Sequence, residues 1–407
     1  MPATASSPGA ASAIRVQIEQ SKKEAQVATV IRSVTDLREH ARGKASGEMR
    51  EEEFRSRLSS LVGQLPVEIL EEHRFFFLPA TMPPWFDTGL DLRRGESITV
   101  FAAGRTYLSR ELEIWLKPNF QLWYRIGEEG LIFRGARCSH TFVAGSDGRL
   151  FLAGYYPGEW ASNTGALAVP AEAYQQAEGG MSVLVMRWAV DPLVGLAQLA
   201  RLGDFDSFAA SEIDRLSAPI EKPDGWEYLA PAPLETYTSV SDEDQGRVIA
   251  CYIHDDAVIL RKDVVEPFTS TTRLRWSWKI DALPSRSRED ELPTHDYLSI
   301  AVEFDNGQDL TYFWSAELDP ETCFRCPIPS WHDRETHVVV RSGHNDLGRW
   351  ITETRNVYAD YQRCIGEPPS KIVRVWLIAV SLFRHQEGQC TYGRIELLNE
   401  GRTALIN

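Results

Sequence analysis

Five side chains in the C-terminal half of the sequence interleave cations with aromatic rings: Lys279, Tyr312, Trp314, Arg341 and Trp350. Such a set suits a planar or anionic ligand, because a guanidinium or ammonium binds both ring faces and anionic groups. The plainer reading buries Trp314 and Trp350 in a core and pairs Arg341 with a carboxylate. Cys323-Phe324-Arg325-Cys326 has zinc or redox spacing. His332 and His337 follow it and make a Cys2His2 site conceivable. The spacing is irregular, however, there is no second CxxC, and Pro327 and Pro329 stiffen the loop, so no metal is expected there. His-Asp dipeptides begin at His254, His295 and His332, but adjacent residues on a strand face opposite ways and do not make a dyad. Glu303 and Asp305 read as solvated strand-end charges. The sequence has no Gly-x-Ser-x-Gly elbow, P-loop or dinucleotide glycine fingerprint. No catalytic residue is therefore assigned.

These side chains need strands to carry them. Leu274, Trp276, Trp278 and Ile280 alternate with Arg273, Arg275, Ser277 and Lys279, the period of a half-buried strand. The alternation returns at Leu298, Ile300, Val302 and Phe304. Trp276 and Trp278 share one face, and two indoles side by side are expected to anchor a core. In Val338-Val339-Val340-Arg341, strict alternation puts Val338 and Val340 on one side and Val339 and Arg341 on the other. Arg341 is then the expected ligand anchor, near an aromatic face.

Composition narrows the partners. The 407 residues carry a formal net charge of -15, which argues against nucleic acid and anionic membrane as partners. No apolar run is long enough to span a bilayer, and residues 1–13 lack the apolar core of a secretory signal. The six scattered Cys are then expected as free thiols in a cytoplasmic protein.

Along the chain, residues 1–13 read as a disordered tail and 14–74 as a helical segment, a hairpin broken at Gly43 to Gly47. That hairpin offers a surface for pairing with a second copy. Short strands separated by Gly and Asp turns fill 75–190 and predict a β-sandwich. Residues 191–223 read as a helical connection. Residues 224–407 predict a second sandwich, a jelly roll interrupted by one helix at 356–365. The fold class is mostly β: two tandem sandwiches, jelly-roll and galactose-binding-like, behind an N-terminal helical hairpin.

Two stretches resemble known families. Gly95 to Gly104 (GESITVFAAG), Leu122 to Gly127 (LWYRIG), Pro157-Gly158 and Asn163 to Ala166 (NTGA) resemble the PA-I type galactophilic lectin, a calcium-dependent galactose-binding sandwich, over about 87–169. That family holds calcium through an Asp two residues before Pro-Gly, a carbonyl just after it, an Asn pair and an upstream Tyr. Here Tyr155 stands at the Asp position and Ser162 at the first Asn. Tyr107, Glu159 and Asn163 remain as the calcium-site candidates, and Tyr155, Tyr156 and Trp160 as a stacking platform for a sugar ring. Further on, Leu274 to Ile280 (LRWSWKI), Leu310 to Trp314 (LTYFW), Val338 to Gly343 (VVVRSG), Gly348-Arg349-Trp350, Arg355 to Tyr361 (RNVYADY), Gly366 to Pro369 (GEPP) and Tyr392-Gly393 resemble the bacterial domain of unknown function 3047, over about 224–399. This resemblance implies a jelly-roll sandwich and no activity.

The sequence thus points to a non-catalytic binding protein for a carbohydrate, a peptide or another small polar-aromatic molecule. A cyclase or hydrolase on the concave face of the second sandwich, or a scaffold acting through the N-terminal helices, are the alternatives. No cofactor is expected, the calcium loop being degenerate. Calcium needs about six to eight oxygen ligands, so the loss of the carboxylate at position 155 should abolish tight binding. Calorimetry should give no micromolar calcium affinity, and one that mapped to Asn163 would overturn this reading.

Overall fold

Period-two alternation sets much of the chain in strands, and the protein is mostly β: two tandem β-sandwiches, the first carrying a helical layer. The computed structural model describes residues 51–155 and 160–407. The expected tail, the first helix of the hairpin and Glu159 lie outside the described residues.

Helix α1 (Glu51–Val62) buries Phe54, Leu58 and Val62, the i, i+4, i+8 stripe of an amphipathic helix. Strand β1 (Leu70–Pro79) follows, so residues 70–74 correct the expected helical segment. The charged run Glu71 to Arg74 hid this strand. Pairing along β9 (Glu178–Trp188), in one register from Glu72↔Arg187 to Pro79↔Gly180 after a shift at Leu70, overrides its local propensity. Between them run β2 (Phe86–Leu92), β3 (Ser97–Ser109), β4 (Ile114–Leu116), the short helix α2 (Pro118–Gln121), β5 (Leu122–Ile126), β6 (Phe133–Arg134), β7 (Ser139–Val143) and β8 (Gly148–Gly154). One sheet has the order β1-β9-β3-β4 with β7 also on β3, and the other β2-β8-β5-β6. Leu90, Ile98, Val100, Leu150, Leu152 and Val183 fill the space between.

The expected connection forms α3 (Pro192–Leu202) and α4 (Phe208–Ser217). Both fold back with α1 onto the outer face of the five-stranded sheet, through Leu196, Leu199 and Phe208 against Phe101, Leu184 and Met186. A buried clasp fixes α4: Glu212 accepts the Thr141 amide at 2.5 Å and pairs with Arg215 at 2.6 Å, while Arg215 donates to the Thr141 carbonyl at 3.0 Å. The exposed edge of β7 is thereby satisfied by side chains.

The second sandwich comprises β10 (Glu227–Tyr228), β11 (Tyr237–Asp242), β12 (Gly246–Ile253), β13 (Ala257–Pro267), β14 (Arg273–Ala282), β15 (Tyr297–Phe304), β16 (Asp309–Ser315), β17 (Cys323–Arg325), β18 (Glu335–Ser342), β19 (Ile351–Asn356), α5 (Val357–Cys364), β20 (Lys371–Val380), β21 (Gly388–Asn399) and β22 (Arg402–Leu405). A seven-stranded sheet has the order β10-β13-β20-β15-β16-β18-β17, and a six-stranded sheet β11-β12-β21-β14-β19 with β22 on β21. Only β16 and β18 pair in parallel among the described strands. The space between the sheets is filled: Trp276, Trp278, Tyr312, Trp314, Tyr361 and Tyr392 are each at most 1% exposed and share one core. Cys323 and Cys364 are disulfide-bonded, which corrects the expectation of six free thiols and ties β17 to α5. No helix among the described residues is long and apolar enough to cross a membrane.

The two sandwiches dock through Trp115, which stacks on His385 at 3.6 Å and carries the Arg105 guanidinium at 3.9 Å. Beside it, buried Asp255 accepts from Lys117 at 2.5 Å and lies 2.8 Å from His385 Nδ1. Arg134, 2% exposed, pairs with buried Asp256 at 3.1 Å. Burial pushes the Asp255 carboxyl up, but the hydrogen bonds from His385 and Lys117 outweigh it and hold it below its ordinary value. A carboxylate held low in the folded state stabilises above its unfolded pKa and loses that contribution as pH falls through the folded value. Acid below about pH 4 should therefore loosen this contact. Asp255→Asn should cost about 1.5–3 kcal/mol at neutral pH and flatten the acid limb of a stability–pH profile measured by urea denaturation. An unchanged acid limb would show that docking does not rest on this carboxylate.

Candidate functional site

The central strands of the seven-stranded sheet are buried on both faces. Leu298, Ile300, Val302, Tyr312 and Val338 point between the sheets, while Tyr297, Ala301, Phe313, Val339 and Trp376 point outward. Leu318, Phe324, Trp331 and Phe383, from β17 and the loops, cover this outer side. Under that cover His295, Cys326, Glu335 and His337 converge, all at most 2% exposed, with potential ligand atoms within 4.8 Å of one another. Strand alternation explains the pair on β18: Glu335 and His337 share a face with Val339. The β17–β18 pairing sets Phe324 opposite His337, and their rings stack at 4.9 Å. Cys326 follows β17 and His295 precedes β15.

The hydrogen bonds fix the orientation of this group. His295 Nδ1 lies 2.6 Å from the Glu289 carbonyl, which can only accept, so Nδ1 carries the proton and Nε2 turns to Cys326 Sγ at 3.4 Å. Glu335 Oε1 accepts from Tyr297 and Thr311, both at 3.0 Å, and lies 3.4 Å from His337 Nε2. Neither ring nitrogen of His337 makes a hydrogen bond. Burial, with His337 adjacent, drives His295 down to about 3. Burial opposes ionisation of Glu335 too, but the adjacent His337 outweighs it and holds the carboxyl well below its ordinary value. Cys323 and His332, the other half of the Cys2His2 set read from the sequence, go elsewhere: Cys323 to its disulfide, and His332 Nδ1 to the Cys326 carbonyl at 2.9 Å. Glu303 is not a solvated charge but is buried under Arg374 and the Trp376 indole N–H.

The five-residue cation–aromatic set does not converge. Tyr312 and Trp314 are core residues, the first donating to Asp360 at 3.1 Å and the second to the Gly343 carbonyl at 2.8 Å. Arg341 lies 5.5 Å from the Trp314 ring, on a strand and near an aromatic face as expected. It does not share a side with Val339. The ladder between β16 and β18 shifts register between Val339 and Arg341, and this bulge turns Arg341 to the Trp314 side. There it pairs with Glu353 of the other sheet at 2.7 Å and with Asp346 at 3.3 Å, an ionic bridge between the sheets.

Lys279 and Trp350 lie instead on the outer face of the six-stranded sheet. Cross-strand pairs place Tyr252, Gln389, Thr391, Lys279, Ser277 and Thr352 on that same face. The Trp350 ring lies over Gly393, where a Cβ would come within 3.3 Å of the indole and 3.2 Å of the Ser277 Cβ. Lys279 Nζ sits 5.8 Å from the ring, the Ser277 and Thr352 hydroxyls are 2.9 Å apart, and Asp242 accepts the indole N–H. Tyr252, which the sequence reading did not single out, is 51% exposed. Its period-two place opposite buried Cys251 and Ile253 was the available signal.

In the first sandwich, Tyr155 is buried and stacks on Trp160 at 3.8 Å, and Trp160 stacks on Trp85 at 5.1 Å. Tyr155 and Trp160 of the expected platform are thus engaged within the fold, and Tyr156 lies outside the described residues. Gly165, at φ +84°, lets Trp85 approach and accepts its indole N–H at 3.0 Å. Asn163 is exposed and its carbonyl accepts the Ile132 amide. Tyr107 is buried on β3 beneath the Arg110 guanidinium.

These features define a tandem β-sandwich protein with one open and one closed sheet in its second domain. Residues 224–396, the second sandwich, match the family described as Protein of unknown function (DUF3047). No curated protein matches the chain. Among solved structures, a PllA-like lectin, the N-terminal domain of EclA, is 19% identical over 30% of this chain and 99% of its own, with a TM-score of 0.23. The module TmCBM61, solved with β-1,4-galactotriose, is 8% identical over 44% of this chain and 90% of its own, TM-score 0.23. The xyloglucanase domain of NopAA from Sinorhizobium fredii, solved with cellobiose, is 8% identical over 44% and 96%, TM-score 0.27. At these identities and scores the similarities say nothing about what this chain binds.

Arg341→Ala should leave the largely buried Glu353 unpaired and destabilise the chain by about 1–3 kcal/mol. Chemical denaturation reads this directly, and a neutral result would free Arg341 for ligand contact.

Proposed function

We propose that the protein is a non-catalytic ligand-binding protein that holds an extended carbohydrate on the outer face of the six-stranded sheet. The observation that carries this reading is the half-buried Trp350 indole laid over Gly393, on a face that also carries hydroxyls, an amide, a lysine and the Arg275–Glu396 ion pair. An indole on a polar sheet buries little by itself. It does offer an apolar plane beside hydrogen-bonding groups, which matches the C–H face and hydroxyl rim of a sugar ring. Tyr252 supplies a second ring on the neighbouring strand β12, opposite Gln389 and hence roughly 14 Å away, mostly along the strand direction from Gly393. Two rings so placed favour several sugar units over one. The filled core between the sheets gives less support to the alternative, a cyclase or hydrolase on the concave face of the second sandwich. For location, the Cys323–Cys364 disulfide supports an oxidising compartment over the cytoplasm expected from the sequence.

A glycan array with the full chain, followed by calorimetry, tests this reading. Trp350→Ala should weaken binding of the selected oligosaccharide at least about ten-fold, the effect of losing a stacked ring, and leave Tm within a degree or so. Tyr252→Ala should weaken long oligosaccharides more than monosaccharides. Binding that survives both changes would move the site elsewhere.

A further inference from the structure

We propose that His295, Cys326, Glu335 and His337 bind one zinc ion as a closed structural site. This goes beyond the carbohydrate reading and is independent of it. The donor set is two imidazoles, one thiol and one carboxylate, the ligands zinc takes in tetrahedral sites. With ordinary zinc–ligand bonds of 2.0–2.3 Å, the edges of such a tetrahedron are about 3.3–3.7 Å. Two edges already have this length, at 3.4 Å from His295 Nε2 to Cys326 Sγ and from His337 Nε2 to Glu335 Oε1. All four potential ligand atoms lie within 4.8 Å of one another, so drawing them onto one ion needs little movement.

Three further observations point the same way. His337 is fully buried, yet neither of its nitrogens makes a well-formed hydrogen bond, Nε2 meeting only Glu335 Oε1 at 3.4 Å, and so poorly satisfied a buried ring requires an explanation. The Glu289 carbonyl holds the His295 proton on Nδ1 and leaves the Nε2 lone pair toward the cluster, the orientation that metal-ligating histidines take from a backbone acceptor. The charges also close: a thiolate and a carboxylate neutralise a divalent ion, so the occupied site buries no net charge. Four protein ligands and no exposed donor leave no open position, which makes the role structural. Zinc would join three separate stretches, the segment just before β15, the residue after β17, and two positions on β18, and so clamp the covering loops onto the outer face of the seven-stranded sheet.

Full-length protein purified without chelator should carry about one zinc per chain by elemental analysis. After the zinc is stripped, cobalt should bind at the same stoichiometry, giving the visible bands of a tetrahedral site and a near-ultraviolet thiolate charge-transfer band. Cys326→Ser should remove the charge-transfer band, keep the visible bands and weaken zinc on the order of 100-fold. His337→Ala with His295→Ala should abolish stoichiometric binding, and zinc should then no longer raise Tm. If the variants do not fold, the natural chain still decides: absence of stoichiometric metal, or a cobalt spectrum without thiolate charge transfer, overturns the proposal. So does a Cys326→Ser spectrum identical to that of the natural chain.

Discussion

The second sandwich depends on one sheet whose central strands are buried on both faces. Every residue of β15 and β16 is buried. Water cannot reach the outer side, so each polar group placed there must find a partner within the fold. Glu303 finds Arg374 and the Trp376 indole. Buried Glu289 accepts from the Ser315 hydroxyl and the Ala316 amide, and Asp296 from the Phe383 and Arg384 amides. The same constraint gathers Glu335, His337, His295 and Cys326 into one group, because each lies on or beside a strand whose other side is already core.

That constraint also decides what could be read from the sequence. The six-stranded sheet has one face in solvent, so β14 shows clean alternation, and Trp276 and Trp278 are core as its spacing indicated. In β15 the same logic found the inner face, Leu298 to Phe304, but treated the opposite positions as solvated. Glu303 was misread for this reason. Arg341 shows a different limit: a single bulge in β18 reverses the side chains beyond it, and nothing in Val338-Val339-Val340-Arg341 marks the extra residue. β1 was hidden by charge, because its strand character comes from pairing with β9 and not from its own residues.

The cysteine spacing misled in a more instructive way. Cys323 and Cys326 look like one chelating pair, yet the short β17 sends them to different partners. Cys323 reaches α5 through the disulfide, and Cys326 turns in toward His295. The stronger signal was Glu335-Thr336-His337, a carboxylate and an imidazole two apart on a strand and hence on one face. Pairing that motif with Cys326, and not Cys323, requires knowing that β17 lies antiparallel to β18, a long-range fact the local pattern does not contain.

The two sheets of this domain are therefore unlike in what they can do. The central strands β15 and β16 of the seven-stranded sheet are buried on both sides and offer a ligand no face. The six-stranded sheet keeps its outer face open, and there the half-buried Trp350 and the exposed Tyr252 face solvent among hydroxyls. Between them, Trp276, Trp278 and Trp314 form a rigid floor packed against Tyr312 and Tyr392. The open face on β12, β21, β14 and β19 is backed by that floor. Rigidity matters for a shallow site, because a preorganised surface spends less of its interaction energy on ordering side chains when a ligand arrives.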